Sequence, residues 1–406
     1  MKYGWLFLLA LCPLLADAGG FQINTQSQKA ASLGGSVTGL ALDASVVFFN
    51  PGGMSMLDSN AFNVGLTALF PRTAFLGVTG VEENLKSSVF LPAYAYGTFR
   101  LKNKWHLGLG INSQFGLGTT WEDEWSGRYV TQQTRLFTMF VQPTVSFKLS
   151  EKLAIGAGPS IVIGNAELQR ALPVTNQNGS DGRLTLDGSG NGIGFNAGLF
   201  FESGRTSVGL SYRSSVTLSL EEGDATFSNI PSSLISNGTF PLTTTFNSEI
   251  TLPSVISLGF GQRIGEKIMA NIDFNYTGWE VYDSLVFTFP DDSKLNTSSV
   301  RNYKNSLAVR LGAQYQYSSR LKLRAGLAFD QSPVENGYVS PELPDADRII
   351  VSGGLTWLWK KGWSIEATLL FEDLKERREE NNVEDNFNGT YKSFIYAAGV
   401  GIQYMF

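Results

Sequence analysis

The last thirteen residues, Phe394-Ile395-Tyr396-Ala397-Ala398-Gly399-Val400-Gly401-Ile402-Gln403-Tyr404-Met405-Phe406, decide the fold. Counted from Phe394, every second residue is apolar, and most of these are large or aromatic. The intervening residues, such as Ala397, Gly399, Gly401 and Gln403, are mostly small or polar. A period of two is a strand with one greasy face and one small or polar face. The same period returns upstream. Phe137, Met139, Val141, Val145, Phe147 and Leu149 alternate with Thr138, Gln142, Thr144, Ser146 and Lys148. Leu307, Val309 and Leu311 flank Arg310, and Leu323, Ala325, Leu327 and Phe329 alternate with Arg324 and Asp330. A charged side chain facing hydrocarbon is costly, so these charges mark a polar interior and the apolar face marks lipid.

Export is written at the other end. Met1-Lys2 is a positive start, Trp5 to Leu15 is almost wholly apolar, and Ala16-Asp17-Ala18 is a small-x-small cleavage site. This is the pattern of a signal peptide cleaved after Ala18. Cys12 lies within it, preceded by Leu11, where a lipoprotein would need a small residue. No later stretch reaches the roughly 18 uninterrupted apolar residues of a spanning helix. An exported chain that is greasy on alternate residues is then a secreted β-protein or a closed barrel, since only helices and closed barrels satisfy every backbone group in lipid.

Composition narrows the function. Charged residues are 17% of the 406, below the roughly 25% usual for soluble proteins. The formal charge of −5 offers no polycationic face for nucleic acid. One Cys and one His exclude a thiolate metal centre and a disulfide framework, and no cofactor, metal or enzymatic activity is expected. The single His106 follows a short turn with no catalytic partner in view. The acidic Glu122-Asp123-Glu124 between Trp121 and Trp125 reads as a solvated outer loop.

Fourteen alternating segments run from Asn60–Phe70 to Tyr391–Phe406, among them Trp105–Leu117, Leu153–Ala171 and Gly192–Ser203. Short turns such as Ser150-Glu151-Lys152 and Lys360-Lys361-Gly362 alternate with long Asn-, Ser- and Gly-rich loops such as Leu172–Asn191 and Gly223–Asn247. Short periplasmic turns and long outer loops are the arrangement of outer-membrane barrels. The expected fold is all-β: a 14-stranded antiparallel transmembrane β-barrel over residues 59–406, in the cell outer membrane of a Gram-negative bacterium. Residues 19–58 do not alternate, yet they carry Phe21, Ile23, Leu33, Leu40, Val46, Phe48 and Phe49 to bury, up to the turn Asn50-Pro51-Gly52-Gly53. Such a piece fits inside the barrel as an N-terminal hatch, or plug.

Several motifs carry a resemblance: Gly20-Phe21-Gln22-Ile23-Asn24, the stretch from Asp43-Ala44-Ser45 to Asn50-Pro51-Gly52, Ile111-Asn112-Ser113-Gln114-Phe115-Gly116-Leu117, and Leu323 to Val334 followed by Leu343-Pro344-Asp345-Ala346-Asp347-Arg348. In this order they resemble the FadL/TodX family of outer-membrane transporters of long-chain fatty acids and other hydrophobic compounds. The resemblance implies a gap in the wall where the third strand kinks, at Gly116. It implies a hatch motif at Asn50, Pro51 and Gly52, where the family has Asn-Pro-Ala. It also implies a basic contact for a substrate carboxylate at Arg170, a second at Arg301 or Lys304, and a ligand contact at Phe21. The expected partners are a hydrophobic small molecule, such as a fatty acid or hydrocarbon (with detergent or lipid able to take its place), and the outer membrane with its lipopolysaccharide. A monomer is expected. The rival expectation is a structural or adhesive barrel, or a phage receptor, without transport. An interior filled solid with salt bridges would favour it, and an apolar pocket joined to the wall gap would favour transport.

Overall fold

The computed structural model describes residues 19–102 and 104–406, so the expected signal peptide of residues 1–18 lies outside the described residues. Fourteen antiparallel strands close on themselves. They are β1 (Ala61–Gly77), β2 (Ala93–Lys102), β3 (Trp105–Asn112, resuming as Gly116–Thr120), β4 (Gln133–Lys148), β5 (Leu153–Thr175), β6 (Asp181–Ser203) and β7 (Thr206–Arg213, resuming as Val216–Ser228). There follow β8 (Thr243–Leu252 with Val255–Ile264), β9 (Ile268–Thr277 with Ser284–Thr288), β10 (Thr297–Val300 with Ser306–Gln316), β11 (Leu321–Asp330), β12 (Arg348–Lys360), β13 (Trp363–Leu374) and β14 (Gly389–Met405). Each strand pairs with the next, and β14 returns to β1 in an unbroken register from Ala61↔Met405 to Gly77↔Gly389. Closure leaves no sheet edge to satisfy in lipid.

The alternation in sequence becomes two faces. Val400 and Ile402 are 56% and 47% exposed, whereas Gln403 between Ile402 and Tyr404 is buried. Thr138, Gln142, Thr144 and Ser146 are buried on the inner face of β4, opposite exposed Phe137 and Val145. Arg310, Arg324 and Asp330 all point inward. Two expectations are corrected. The stretch Leu172–Asn191 is not a long loop: β5 and β6 extend beyond the membrane-crossing part and meet at a tight turn around Asn176–Ser180. Gly223–Ser228 and Thr243–Asn247 at the two ends of the second expected loop are likewise paired, which leaves a loop over residues 229–242 with one short helix, α3, at Ser232–Ser236. Thr- and Asn-rich strands above the membrane need no greasy face, so they lose the pattern that marks the lower strands.

Residues 20–57 run within the ring of strands. They form α1 (Gln28–Ser32), α2 (Val46–Phe49) and a 3₁₀ turn at Pro51–Met56. Their backbone is held from many sides. Gln28 donates to Leu66 and Thr67 of β1, Val37 and Thr38 donate to Asp273 of β9, and Ser207 of β7 donates to the Gly39 carbonyl. Arg213 donates to the Phe48 carbonyl and Arg310 to the Gly34 carbonyl. Inward-facing glycines make this fit possible. A Cβ at Gly198 would overlap the Asn50 side chain, and one at Gly209 would overlap the Thr38 carbonyl.

Candidate functional site

The pairing of the wall lapses between β2 and β3. Strand β3 pairs with β2 only as far as Ala95↔Ile111, and its second part, Gly116–Thr120, pairs with β4 alone. Between the two parts, Asn112 faces Phe140 while Gly116 faces Phe137, so β3 carries one residue more than its partner. That extra residue is a bulge, which bends a strand. Ser113 donates to the Thr138 carbonyl at 2.7 Å, and the Thr138 hydroxyl donates to the Phe115 carbonyl at 2.6 Å, which fixes the bend. The groups that β2 would have satisfied turn to the N-terminal segment. The Ile23 amide donates to Gln114 and the Gly116 amide to Phe21, with Gln22 opposite Phe115. Above the gap, the Lys86 amide donates to the Thr120 carbonyl, and this bond closes its upper end.

A cavity of about 330 Å³ occupies this gap. Phe21 and Ile23 line its inner side, Leu69, Phe90, Gly116 and Leu136 its walls, and outward-facing Leu91 and Phe137, both more than half exposed, its lipid side. Phe90 stands against Gly118, where a Cβ would overlap its ring, and Ile23 stands 2.9 Å from the position of a Cβ at Gly116. These glycines keep the gap wide enough for two apolar side chains to cover it.

A second cavity, of about 410 Å³, lies under the outer loops. Leu168, Leu184, Leu186, Phe227, Phe287 and Phe289 form the apolar part of its lining. Both volumes fall within the roughly 300–1,000 Å³ of small-molecule sites. Arg170, Arg301, Lys294, Glu342, Glu384 and Asp385 give the outer cavity charged corners. Arg301 is buried and ion-paired with Glu342. Burial alone would lower its pKa, but Glu342, Tyr282 and Tyr303 more than compensate, and the guanidinium is held firmly charged. Arg170 is half-buried and has no carboxylate within 4.0 Å among the described residues, since Glu167 bonds Arg135 instead. Burial and the Glu342 carboxylate push Asp385 above the ordinary carboxylate range.

A narrow space of about 40 Å³ lies between the two. It shares Leu168, Leu285, Arg301 and Glu342 with the outer cavity, and Phe21, Leu117, Leu136 and Leu343 with the one at the wall. Phe21 stands edge-on to Trp279 at 4.8 Å, Tyr282 at 5.4 Å and Phe115 at 6.0 Å. The floor of the wall cavity, where Asp345, Arg348 and Glu372 line it, and the interior below are ionic. Arg348 pairs with Asp345 and Glu372, Arg310 with Asp330, and Lys29 with both Asp43 and Glu366 at 3.1 Å. An apolar solute would gain nothing there and would break buried charge pairs to pass.

The expected residues therefore separate into three groups. Arg170 and Arg301 line the outer cavity, while Phe21 and Gly116 line the cavity at the wall. Lys304 lines none of these cavities: it is exposed and donates to Asn302 at 2.9 Å, so of the two alternatives only Arg301 reaches the pocket. Asn50, Pro51 and Gly52 line none of them either. The Asn50 side chain caps the 3₁₀ turn by accepting from Gly52 and donates to the Leu199 carbonyl of β6 at 3.0 Å. The acidic loop cluster is ion-paired, Glu122 and Asp123 with Lys86, and Asp123 with Arg183. Phe90, Trp279 and Tyr282 escaped the sequence reading, and Leu343 entered it only as part of a motif. The Trp279–Tyr282 turn interrupts what reads as one strand, Ile268–Phe289, and only that interruption marks it as a site.

A closed antiparallel barrel, apolar outside, with its own N-terminal segment packed in its bore and apolar cavities reaching a gap in its wall, defines a β-barrel transporter of the outer membrane. The chain belongs to the family described as outer membrane protein transport protein (OMPP1/FadL/TodX), whose model matches residues 9–406. It is 24% identical to outer membrane protein P1 of Haemophilus influenzae, over 98% of each chain. It is 25% identical to the long-chain fatty acid transport protein of Escherichia coli K12, over 88% of this chain and 89% of that one. Its fold matches the crystal structure of a Pseudomonas aeruginosa FadL homologue with a TM-score of 0.85 at 17% identity, covering 95% and 99% of the two chains. It also matches the Pseudomonas putida toluene transporter TodX, at 0.72 and 17% over 93% and 97%. Members of the family are outer-membrane transporters and channels for hydrophobic compounds.

Proposed function

We propose that this chain is a passive conduit that takes a fatty acid or hydrocarbon from the outer surface and releases it sideways into the membrane. The observation that carries the reading is the row of neighbouring spaces, polar-cornered at Arg170 and increasingly apolar through Phe21 to the wall gap at Gly116. That row also favours transport over a purely adhesive barrel, whose interior has no need of it. Capture in the outer cavity draws on about 0.8 kcal/mol per buried methylene. Arg170, whose fork of donors suits a carboxylate, holds the head group. Arg301 is already neutralised by Glu342 and shapes the pocket.

Residues 19–58 act as the hatch. Phe21 and Ile23 withdraw from the gap, while the Asn50-Pro51-Gly52 turn stays clamped to β5 and β6 as the fixed end of the movement. The tail of the solute then passes Gly116 into lipid, and its concentration gradient drives the step. Lipopolysaccharide surrounds the outer rim, and one chain suffices. Filling the gap tests the reading. Gly116→Leu reduces uptake of a labelled fatty acid or toluene by tenfold or more, while binding in the outer cavity keeps its affinity. Unchanged uptake would reject the lateral route.

A further inference from the structure

The charge of this chain is unevenly placed. The six short turns that face the periplasm, with their flanking residues (100–105, 148–153, 202–206, 263–268, 318–322 and 359–363), hold twelve Lys and Arg against three acidic residues. The chain as a whole is acidic, at −5. Every one of the six turns contributes: Lys104, Lys152, Arg205, Lys267, Arg320 and the Lys360–Lys361 pair are all exposed, and none has a carboxylate within 4.0 Å among the described residues. Lys148 pairs with Glu151 and Arg263 with Glu202, so two of the three local acids are already engaged.

Aromatic side chains fix the depth of this ring. Phe99, Trp105, Tyr317, Trp357, Trp359 and Phe406 face outward at the same end of the barrel and are each between about 45% and 64% exposed. Aromatic girdles sit at the membrane–water boundary. The basic turns therefore lie at the level of the lipid head groups of the periplasmic leaflet. They surround the barrel on all sides, and a single docked protein would meet only one of those sides.

We propose that the periplasmic rim is a collar for anionic glycerophospholipid head groups, gathered from the inner leaflet of the outer membrane. Clustered Lys and Arg at a membrane surface attract anionic lipid over a Debye length of about 8–10 Å, which covers the head-group layer. The collar fixes the height of the barrel in the membrane and thereby the height of the wall gap. It is a property of the rim alone and stands whether or not the transport route above is correct.

The experiment uses the whole mature protein in phosphatidylcholine vesicles containing one-third phosphatidylglycerol. Lipid retained after mild detergent extraction is then counted by native mass spectrometry. The wild type retains phosphatidylglycerol over phosphatidylcholine at least threefold above the bulk ratio, and 0.5 M NaCl lowers that enrichment. A variant with Lys104→Gln, Lys152→Gln, Lys267→Gln, Lys360→Gln and Lys361→Gln falls to parity, while the matching five Lys→Arg changes keep the enrichment. The heat-dependent gel shift of a folded barrel confirms that both variants are folded. No enrichment in the wild type, or enrichment that survives the five Gln changes, would overturn the proposal. So would enrichment lost on altering the outer Arg72, Arg135 and Lys392 instead.

Discussion

Replacing Arg170 by Ala separates two kinds of ligand. Arg170 is a cation in the outer cavity with no carboxylate within 4.0 Å among the described residues. A hydrogen bond to a charged group contributes about 1.5–3 kcal/mol, and partial exposure of Arg170 places it at the lower half of that range. With tenfold per 1.4 kcal/mol, a fatty acid should bind about 10- to 30-fold more weakly. A hydrocarbon of the same length buries the same methylenes in both proteins, so its affinity should not move. Arg170→Lys keeps the charge but loses the fork, and should fall between. Displacement of a fluorescent fatty acid by each competitor, with purified barrel in detergent, reads both affinities. Equal losses for acid and hydrocarbon would show a packing defect, and no loss for either would show that the head group is held elsewhere.

Three further outcomes follow from the same geometry. Asp385 has its pKa raised by burial and by Glu342, so it takes up a proton as pH falls towards that raised value and the pocket becomes more positive. Binding of dodecyl sulfate, which stays ionised, should therefore strengthen as the pH is lowered from 7, and Asp385→Asn should bind it more tightly than the wild type at pH 7 and with a shallower pH dependence; an unchanged pH dependence in the variant would refute the role of Asp385. Lys29 bridges buried Asp43 and Glu366, so Lys29→Ala leaves two uncompensated carboxylates and should cost about 3–5 kcal/mol of local stability; faster hydrogen exchange over residues 28–50 with an unchanged barrel checks it, and unchanged exchange there refutes it. Phe21→Ala removes the ring between the two cavities and should at least double toluene uptake, whereas a decrease would make Phe21 a required ligand contact.

The barrel was legible because lipid imposes a period of two wherever a strand crosses it. Tyr391–Phe406 and Thr134–Leu149 show that pattern, and β14 and β4 follow it within a residue or two. The pattern fades where lipid ends, which is why the outer halves of β5 and β6 read as a loop. Gly116 was legible as a weak point in a strand, but its partners were not. Phe21 and Ile23 lie about ninety residues away, and no local periodicity records a pairing of that range. Lys304 stands three residues from Arg301 and is chemically suitable, yet the turn after β10 begins sends one side chain inward and the other to solvent. The glycines that let the N-terminal segment approach the wall, Gly198 and Gly209 among them, look in sequence like any other small residue of the inner face.

The central claim is that the segment at Gln22 must leave the wall for solute to pass. Gln22 and Phe115 face each other in an antiparallel bridge whose bonds belong to their neighbours, a pairing with Cα atoms about 4.5 Å apart and close enough for a disulfide. The only native cysteine is Cys12. Uptake of labelled fatty acid by the Gln22→Cys, Phe115→Cys protein should fall at least tenfold on oxidation and recover on reduction. Full uptake with the disulfide formed would contradict the account.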